Sequence, residues 1–124
     1  MIIVGRVFAR VLLAGALVVG GIGVVQAAGV LAVGTCGAYG YSYDFPRAEA
    51  ARKAALAKCS GNCKTVPMNK ACAALGTDVR NPCGAHGYAA APLLGQAQNT
   101  ALRFCHKFGG RDCVIRAWAC DGAG

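Results

Sequence analysis

A duplicated cysteine pattern constrains the fold of this chain more than any other feature. The segment Cys36-Gly-Ala-Tyr-Gly-Tyr41 recurs as Cys83-Gly-Ala-His-Gly-Tyr88, and the later cysteines follow in the same order. The matched pairs, at offsets of 47, 46, 50 and 48 residues, are Cys36 with Cys83, Cys59 with Cys105, Cys63 with Cys113, and Cys72 with Cys120. A period of this length indicates a repeated supersecondary unit. Two copies are too few for a solenoid, so we predict a pseudo-symmetric pair that shares one core.

Each copy begins with the pattern of a strand followed by a helix. Aromatic side chains in residues 39–45 alternate with small or polar ones, which is the period of a strand. Pro46 favours a helix start, with Asp44 as a candidate N-cap, and Pro92 opens the second helix in the same way. The small side chains that we expect on the buried helix faces are Ala51, Ala55, Cys59, Ala97, Ala101 and Cys105.

A second strand is predicted after each helix, over residues 63–72 and 113–120. Pro67 lacks a backbone donor, so the first of these strands should lie at a sheet edge or carry a bulge. The predicted fold class is therefore α+β: a small disulfide-stapled domain made of two pseudo-symmetric strand–helix–strand repeats. The predicted boundaries are repeat one at residues 36–72, a joint at 73–82 that contains Asn81-Pro82, and repeat two at 83–120.

Residues 1–27 have the composition of a secretory signal peptide. Arg6 and Arg10 provide a positive start, an apolar region follows, and a Val-Gln-Ala triplet supplies small residues just before Ala28. We predict cleavage there, which leaves residues 28–124 as a single domain. That mature chain has 11 Lys and Arg (13 minus Arg6 and Arg10) against 5 Asp and Glu, a net charge of +6.

Two alternatives to cleavage remain open at this point. The uncharged run is long enough to span a bilayer, so an uncleaved anchor is one of them. A lipoprotein modified at Cys36 is the other, although the preceding Val-Gly-Thr matches a lipobox poorly. In each case the domain is placed outside the cytoplasm. We therefore expect a secreted or periplasmic protein, with no membrane span after signal cleavage.

The eight cysteines indicate a disulfide scaffold, since they make up about 8 per cent of a short exported chain. Two pairs lie across short loops between a helix end and a strand, and we predict that these pairs form local bridges. The local bridges are Cys59–Cys63 and Cys105–Cys113. The other four cysteines pair among themselves, as Cys36–Cys83 with Cys72–Cys120 or as one bridge within each half. We favour the first scheme because it would lock the two copies together.

We find no catalytic or metal-binding pattern in the sequence. Cys59, Cys63 and His106 lack zinc-type spacing. The helical cysteines lie at helix C-termini, where the dipole disfavours the thiolate that a redox site needs. His86 occupies the position of Tyr39 in the repeat, and no nucleophile with an orienting carboxylate can be assembled around either histidine. We predict no metal, no cofactor and no enzymatic activity.

A run of basic residues lies near the tyrosines of the first half. The candidate anionic-partner surface consists of Arg47, Arg52, Lys53, Lys58, Lys64 and Lys70. One interpretation is a surface for polyanions in which Tyr39, Tyr41 and Tyr43 act as a stacking platform. The other, which we favour, is a solvated basic face with the tyrosines packed beside a helix, because aromatic residues mostly serve cores and interfaces.

The order of these motifs resembles a known family. A Gly-Ala-Tyr-Gly-Tyr segment precedes an Ala-rich helix that ends in Ala-Leu-Ala-Lys-Cys59, and then come a cysteine that opens a strand, Ala-Cys72-Ala-Ala, and Trp118-Ala-Cys120. Over residues 36–120 the chain is similar to the bacterial exported family called domain of unknown function 4189. The resemblance implies an exported location and no established activity. The chain departs from the family pattern at Cys36 and Cys83, so no pairing is carried over there.

The leading functional hypothesis is an exported non-enzymatic binding module. Its partner would be an unknown protein or an anionic envelope polymer, and export makes nucleic acid an unexpected partner. The first alternative is a small secreted effector or enzyme inhibitor that acts through a loop, at residues 73–82 or 106–112. The second alternative is a hydrolase whose site the residue spacing does not reveal.

Overall fold

The structure is a computed structural model that describes residues 28–122. The predicted signal peptide at residues 1–27, with its cleavage site, lies outside the described residues, as do residues 123–124. In chain order the elements are β1 (Ala28–Val33), β2 (Tyr39–Phe45), α1 (Ala48–Ala57), β3 (Lys64–Met68), β4 (Ala71–Asp78), β5 (His86–Ala91), α2 (Leu94–Lys107) and β6 (Cys113–Asp121).

The strands form two three-stranded antiparallel sheets with the same topology. Sheet 1 has the order β2-β1-β3, and sheet 2 has the order β5-β4-β6. The predicted α+β class is confirmed, and each half contains the predicted strand, helix and strand. Each half also has one strand that precedes these three elements, β1 in the first half and β4 in the second. This strand is the central strand of its sheet.

Each helix packs on one face of its own sheet through small side chains. Ala51 and Ala55 of α1 are fully buried and contact a cluster that includes Val30 of β1. Ala97 and Ala101 of α2 are buried in the same way against β4. Side chains of this size let the helix backbone approach the sheet closely, as the alanine-rich faces predicted.

The opposite faces of the two sheets meet and form the central core. Leu31 and Leu75, both fully buried, lie at the middle of the central strands and belong to one cluster that spans both sheets. The other buried members of that cluster are Val33, Met68, Ala73, Ala117 and Ala119. The domain is therefore layered helix, sheet, sheet, helix, and its central strands are buried on both faces.

The predicted strand over residues 63–72 is wrong as a single element. β3 ends at Met68, and the chain crosses to the other sheet through a turn in which Lys70 has a φ of 52°. The joint predicted over residues 73–82 is wrong for its first six residues, which are buried in β4. Because β4 is covered on both faces, its sequence shows no polar alternation. The edge position predicted from Pro67 is confirmed, since β3 pairs with β1 alone.

The helix cap predicted at Asp44 is also wrong. The N-cap position of α1 is Arg47, with no side-chain cap. Asp44 instead lies in an irregularity of β2, where the register with β1 shifts and its own φ is 59°. The backbone N–H of Asp44 donates a hydrogen bond of 2.8 Å to Oδ1 of Asp121. The bulge frees this N–H from the sheet ladder, and the carboxylate of the other sheet accepts it.

All eight cysteines are in disulfides, in the pairing Cys36–Cys83, Cys59–Cys63, Cys72–Cys120 and Cys105–Cys113. Cys36 and Cys83 occupy equivalent loops, so this bridge joins the two halves. Cys72 and Cys120 lie directly opposite each other on β4 and β6. That bridge therefore crosslinks two strands of sheet 2 and not, as the offsets suggested, the two halves.

Asp78 at the end of β4 organises the neighbouring loops. Its two carboxylate oxygens accept backbone N–H bonds from Arg80 at 2.9 Å and from Arg111 at 3.1 Å. These bonds, that of Arg111 first, hold the pKa of Asp78 below its ordinary value of 3.8.

Because the folded state lowers the pKa of Asp78, its ionised form stabilises the fold above pH 3.8 and this stability is lost as the pH falls through the lower folded value. We expect Asp78→Asn to lower Tm at pH 7 and to differ less from the wild type as the pH falls toward 2. Thermal unfolding across this range measures the effect, with Glu49→Gln, which changes an exposed carboxylate of α1, as the control. A deficit of constant size at every pH would contradict the prediction.

Candidate functional site

The edge strands β2 and β6, from different sheets, border a groove of about 470 Å³. We call it the tyrosine groove. Its lining residues are Tyr39, Tyr41, Tyr43, Arg116, Ala117, Trp118, Ala119 and Cys120.

Three tyrosines form one wall of the groove because β2 alternates. Gly40 and Ser42 face α1, where the Ser42 hydroxyl donates to the carbonyl of Ala51 at 2.6 Å. The tyrosines between and beside them therefore point away from the helix. Their ring centroids are 6.4 Å apart at each step, with interplanar angles of 2° and 21°, so the rings form an aligned row. Tyr41 is 38% exposed and Tyr43 is 53% exposed.

Arg116 and Trp118 supply the other wall from β6. The register between β4 and β6 shifts at Arg116, which directs its side chain toward β2. The guanidinium carbon lies 5.5 Å from the centre of the Tyr39 ring, within the range of a cation–π contact. Trp118 is 50% exposed. The groove thus has a cation at the Tyr39 end and open aromatic surface along its length.

The loop after β1 holds Arg116 in place. Arg116 Nε donates to the carbonyl of Gly37 at 3.1 Å. Cys36 and Gly37 have φ values of 57° and 78°, and the Cys36–Cys83 bridge ties this unusual turn to the second half. The disulfide between the halves therefore positions the cation of the groove.

The pseudo-equivalent seam, between β5 and β3, differs in its side chains. His86, Tyr88 and Ala90 stand where the groove has its three tyrosines, and the rings of His86 and Tyr88 are 6.2 Å apart. By strand register, Pro67 stands where the groove has Trp118. The two copies share the scaffold, but only the seam between β2 and β6 has the full aromatic row.

A sequence model of the family described as "Domain of unknown function (DUF4189)" matches residues 28–120. The chain belongs to this family. No curated protein and no solved structure matches it significantly. In this DUF4189 chain the match covers both halves and therefore both walls of the groove.

The six basic residues predicted as an anionic-partner surface are all exposed in the DUF4189 fold: Arg47, Arg52, Lys53, Lys58, Lys64 and Lys70. Most of them lie on or beside α1, which covers the face of sheet 1 opposite the tyrosines. Lys58 comes nearest, with Nζ 3.3 Å from the backbone carbonyl of Tyr41. The structure therefore does not join the basic run and the tyrosines into one surface.

Sequence reasoning missed Arg116 and Trp118 as site residues. The only signal for them was the spacing of Arg116 and Trp118 on either side of the small Ala117 in a predicted strand. That spacing does not identify the neighbouring element, and the irregularity at Arg116 is not visible in the sequence. The proximity to β2 arises from the way the two sheets stack.

The described residues hold no group of three or more His, Cys, Asp or Glu that could bind a metal ion. The two histidines lie apart and contact backbone carbonyls, His86 that of Gly84 at 3.4 Å and His106 that of Gly110 at 3.1 Å. Within residues 28–122, neither helix has the length and hydropathy required to cross a membrane. Four disulfides point to an extracellular or otherwise oxidising compartment.

Proposed function

We propose that this DUF4189 chain is an exported, non-enzymatic binding module that holds an extended chain of an envelope component in the tyrosine groove. The observation that carries the proposal is the solvent-open tyrosine row, in which Tyr41 and Tyr43 are exposed, with the exposed Trp118 among the lining residues of the other wall. Tyrosine, tryptophan and arginine are the residue types that contribute most to binding energy at interfaces. The side chains of Tyr41, Tyr43 and Trp118 are exposed to solvent. A ligand that covers these rings would remove apolar surface from water, and the hydrophobic effect would stabilise the complex.

The rigidity of the groove supports a binding role. The Cys72–Cys120 bridge ties β6, the strand of the Trp118 wall, to the central strand β4. The Cys36–Cys83 bridge fixes the loop whose Gly37 carbonyl accepts a hydrogen bond from Arg116. A preformed site loses less conformational entropy when a ligand binds, so more of the contact energy becomes affinity.

The chemistry of the lining favours an acidic glycan. The flat apolar faces of sugar rings can stack on the exposed tyrosine and tryptophan rings, and an acidic substituent can pair with the guanidinium of Arg116. The predicted net charge of +6 on the mature chain attracts such a polymer over a longer range. Four disulfides and a predicted signal peptide are consistent with encounter in a periplasmic or extracellular space.

A binding titration with the oxidised exported protein tests this proposal. We expect polygalacturonate to bind, and neutral dextran to bind less well. Trp118→Ala should weaken binding roughly 30-fold, since truncation of a central aromatic residue costs about 2 kcal/mol. Affinity should fall with added salt, because the Debye length shrinks from about 10 Å at 0.1 M to about 3 Å at 1 M.

Two control variants separate the groove from other surfaces. Phe108→Ala removes an aromatic side chain that is 64% exposed in the loop after α2, outside the groove, and should leave binding unchanged. The triple variant Arg52→Gln, Lys53→Gln, Lys58→Gln neutralises the basic helix and should weaken binding much less than Trp118→Ala. If the triple variant abolishes binding while Trp118→Ala does not, the basic helix is the site and the groove is not.

A second candidate function, a small effector or inhibitor that acts through a loop, is favoured by Phe108 alone. This exposed ring stacks on Phe104, with centroids 6.1 Å apart, in the loop that the Cys105–Cys113 bridge closes. Capture of a protein partner that Phe108→Ala abolishes and Trp118→Ala spares would favour this function over glycan binding.

A further inference from the structure

Asp121, the last residue of β6, is a fully buried carboxylate that is only half satisfied. Its side chain lies between the two sheets, and Oδ1 accepts the backbone N–H of Asp44 at 2.8 Å. Oδ2 has no hydrogen-bond partner among the described residues. An unpaired buried carboxylate oxygen is costly, because it has lost hydration without a replacement.

The start of β1 lies against this carboxylate. A β-carbon placed on Gly29 would come within 3.0 Å of Cβ of Asp121, so the two residues are in direct contact and only glycine fits there. Ala28 precedes Gly29 and pairs with Phe45, next to the bulge at Asp44. The first residues of the predicted mature chain and the buried carboxylate therefore share one corner of the core.

Among residues 28–122, no side-chain cation forms an ion pair with Asp121. The one ion pair recorded within residues 28–122 joins Arg80 and Asp112. Lys70 precedes the strand that pairs with Asp121, but its side chain is exposed and extends along Gly122. Buried charges in proteins are normally paired, so a carboxylate in this position calls for a cation from elsewhere.

We propose that Asp121 binds the α-ammonium group that signal cleavage creates on Ala28. This inference rests on the proposed export with cleavage after Ala27. Hydrolysis adds water across the Ala27–Ala28 peptide bond, leaving a carboxylate on Ala27 and an ammonium group on Ala28. The neutral amide with its one N–H becomes a cation with three donors, which can pair with Oδ2. Removal of the signal thus completes the polar corner between the sheets and stabilises the mature fold.

Selective modification of the terminal amine tests the proposal. In urea, near neutral pH, the α-amino group has its free pKa of about 7.7–8.0 and reacts ahead of lysine at about 10.4, so the mature protein with its disulfides intact can be acetylated at Ala28 in urea, refolded and checked by mass. We expect acetylation to lower Tm by about 4–8 °C, the shift that corresponds to a modest loss of stability in a domain of this size. In Asp121→Asn, which keeps an acceptor for the Asp44 N–H, acetylation should change Tm by less than about 2 °C.

Asp44→Asn is the matched control, since it removes the exposed carboxylate at the same bulge and should preserve the full effect of acetylation. If Asp44→Asn abolishes the effect and Asp121→Asn does not, the ammonium pairs with Asp44 and the proposal fails. Equal effects of acetylation in wild type and Asp121→Asn would also overturn it.

A second measurement needs no variant and covers the case in which Asp121→Asn does not fold. The α-amine of the folded protein should be acetylated at least about tenfold more slowly than in urea, because a paired and buried ammonium reacts only on opening. Unprotected reactivity overturns the proposal, as does a mature chain that begins at any residue other than Ala28. Glycan binding is measured in a separate titration. A negative result for the Asp121–ammonium pair can therefore be distinguished from a negative result for glycan binding in the tyrosine groove.

Discussion

The double variant Cys72→Ala, Cys120→Ala is expected to lose about 4 kcal/mol of unfolding free energy, because the bridge closes a loop of 48 residues. A domain of this size has a total stability of about 5–15 kcal/mol, so the variant approaches the unfolding limit. Cys72 is also fully buried against α2, so its truncation adds the loss of core contacts.

The matched control is Cys59→Ala, Cys63→Ala, whose bridge spans only 4 residues. The chain-entropy model gives this bridge about 2 kcal/mol, roughly half of the larger effect. Urea denaturation of both double variants measures the difference. Equal losses would show that loop length does not determine the contribution of these bridges.

Gly87→Ala is expected to cost about 3 kcal/mol or more, since α2 lies directly on this residue. A β-carbon there would be 2.4 Å from the carbonyl oxygen of Ala101 and 2.5 Å from the backbone nitrogen of Cys105. Backbone atoms of a disulfide-bonded helix cannot move aside as a flexible side chain can. Gly40 stands at the equivalent position under α1, with a β-carbon 2.3 Å from the Ala55 carbonyl oxygen, so Gly40→Ala should behave in the same way.

Gly95→Ala provides the control for these substitutions. Gly95 lies in α2, and a β-carbon there meets nothing within 4 Å. The same change should stabilise the domain by up to about 1 kcal/mol, through the higher helix propensity of alanine. Midpoints of urea denaturation should therefore shift in opposite directions for Gly87→Ala and Gly95→Ala. A neutral Gly87→Ala would mean that the helix and sheet are less closely packed than described here.

The elements with a clear amphipathic period could be predicted from sequence. The strand at Tyr39–Phe45 alternates, and the faces of α1 and α2 repeat small residues at helical spacing, because one side of each element is solvated. The central strands β1 and β4 could not, because both of their faces are covered and their sequences are uniformly small or apolar. The sequence predicts no strand before residue 36, so it misses β1, and most of β4 falls within the predicted joint.

The candidate site was predictable only in part. The tyrosines were recognised as a row along one strand, but they were grouped with basic residues that lie near them in sequence. In the fold, sheet 1 separates most of that basic run from the tyrosine rings. The cation that does contact Tyr39 is Arg116, which is distant from it in the sequence.

What the sequence determined by itself is local: the repeat, the helix faces, the strand of tyrosines and the two short-loop cysteine pairs. These follow from periodicity and from spacing along the chain, which act over a few residues. The tertiary structure decided which strands are central, which edges adjoin and where Asp121 is buried. Those outcomes depend on the stacking of two sheets through Leu31 and Leu75, a contact between distant residues that no local pattern encodes. The tyrosine groove exists because that stacking places β6 beside β2.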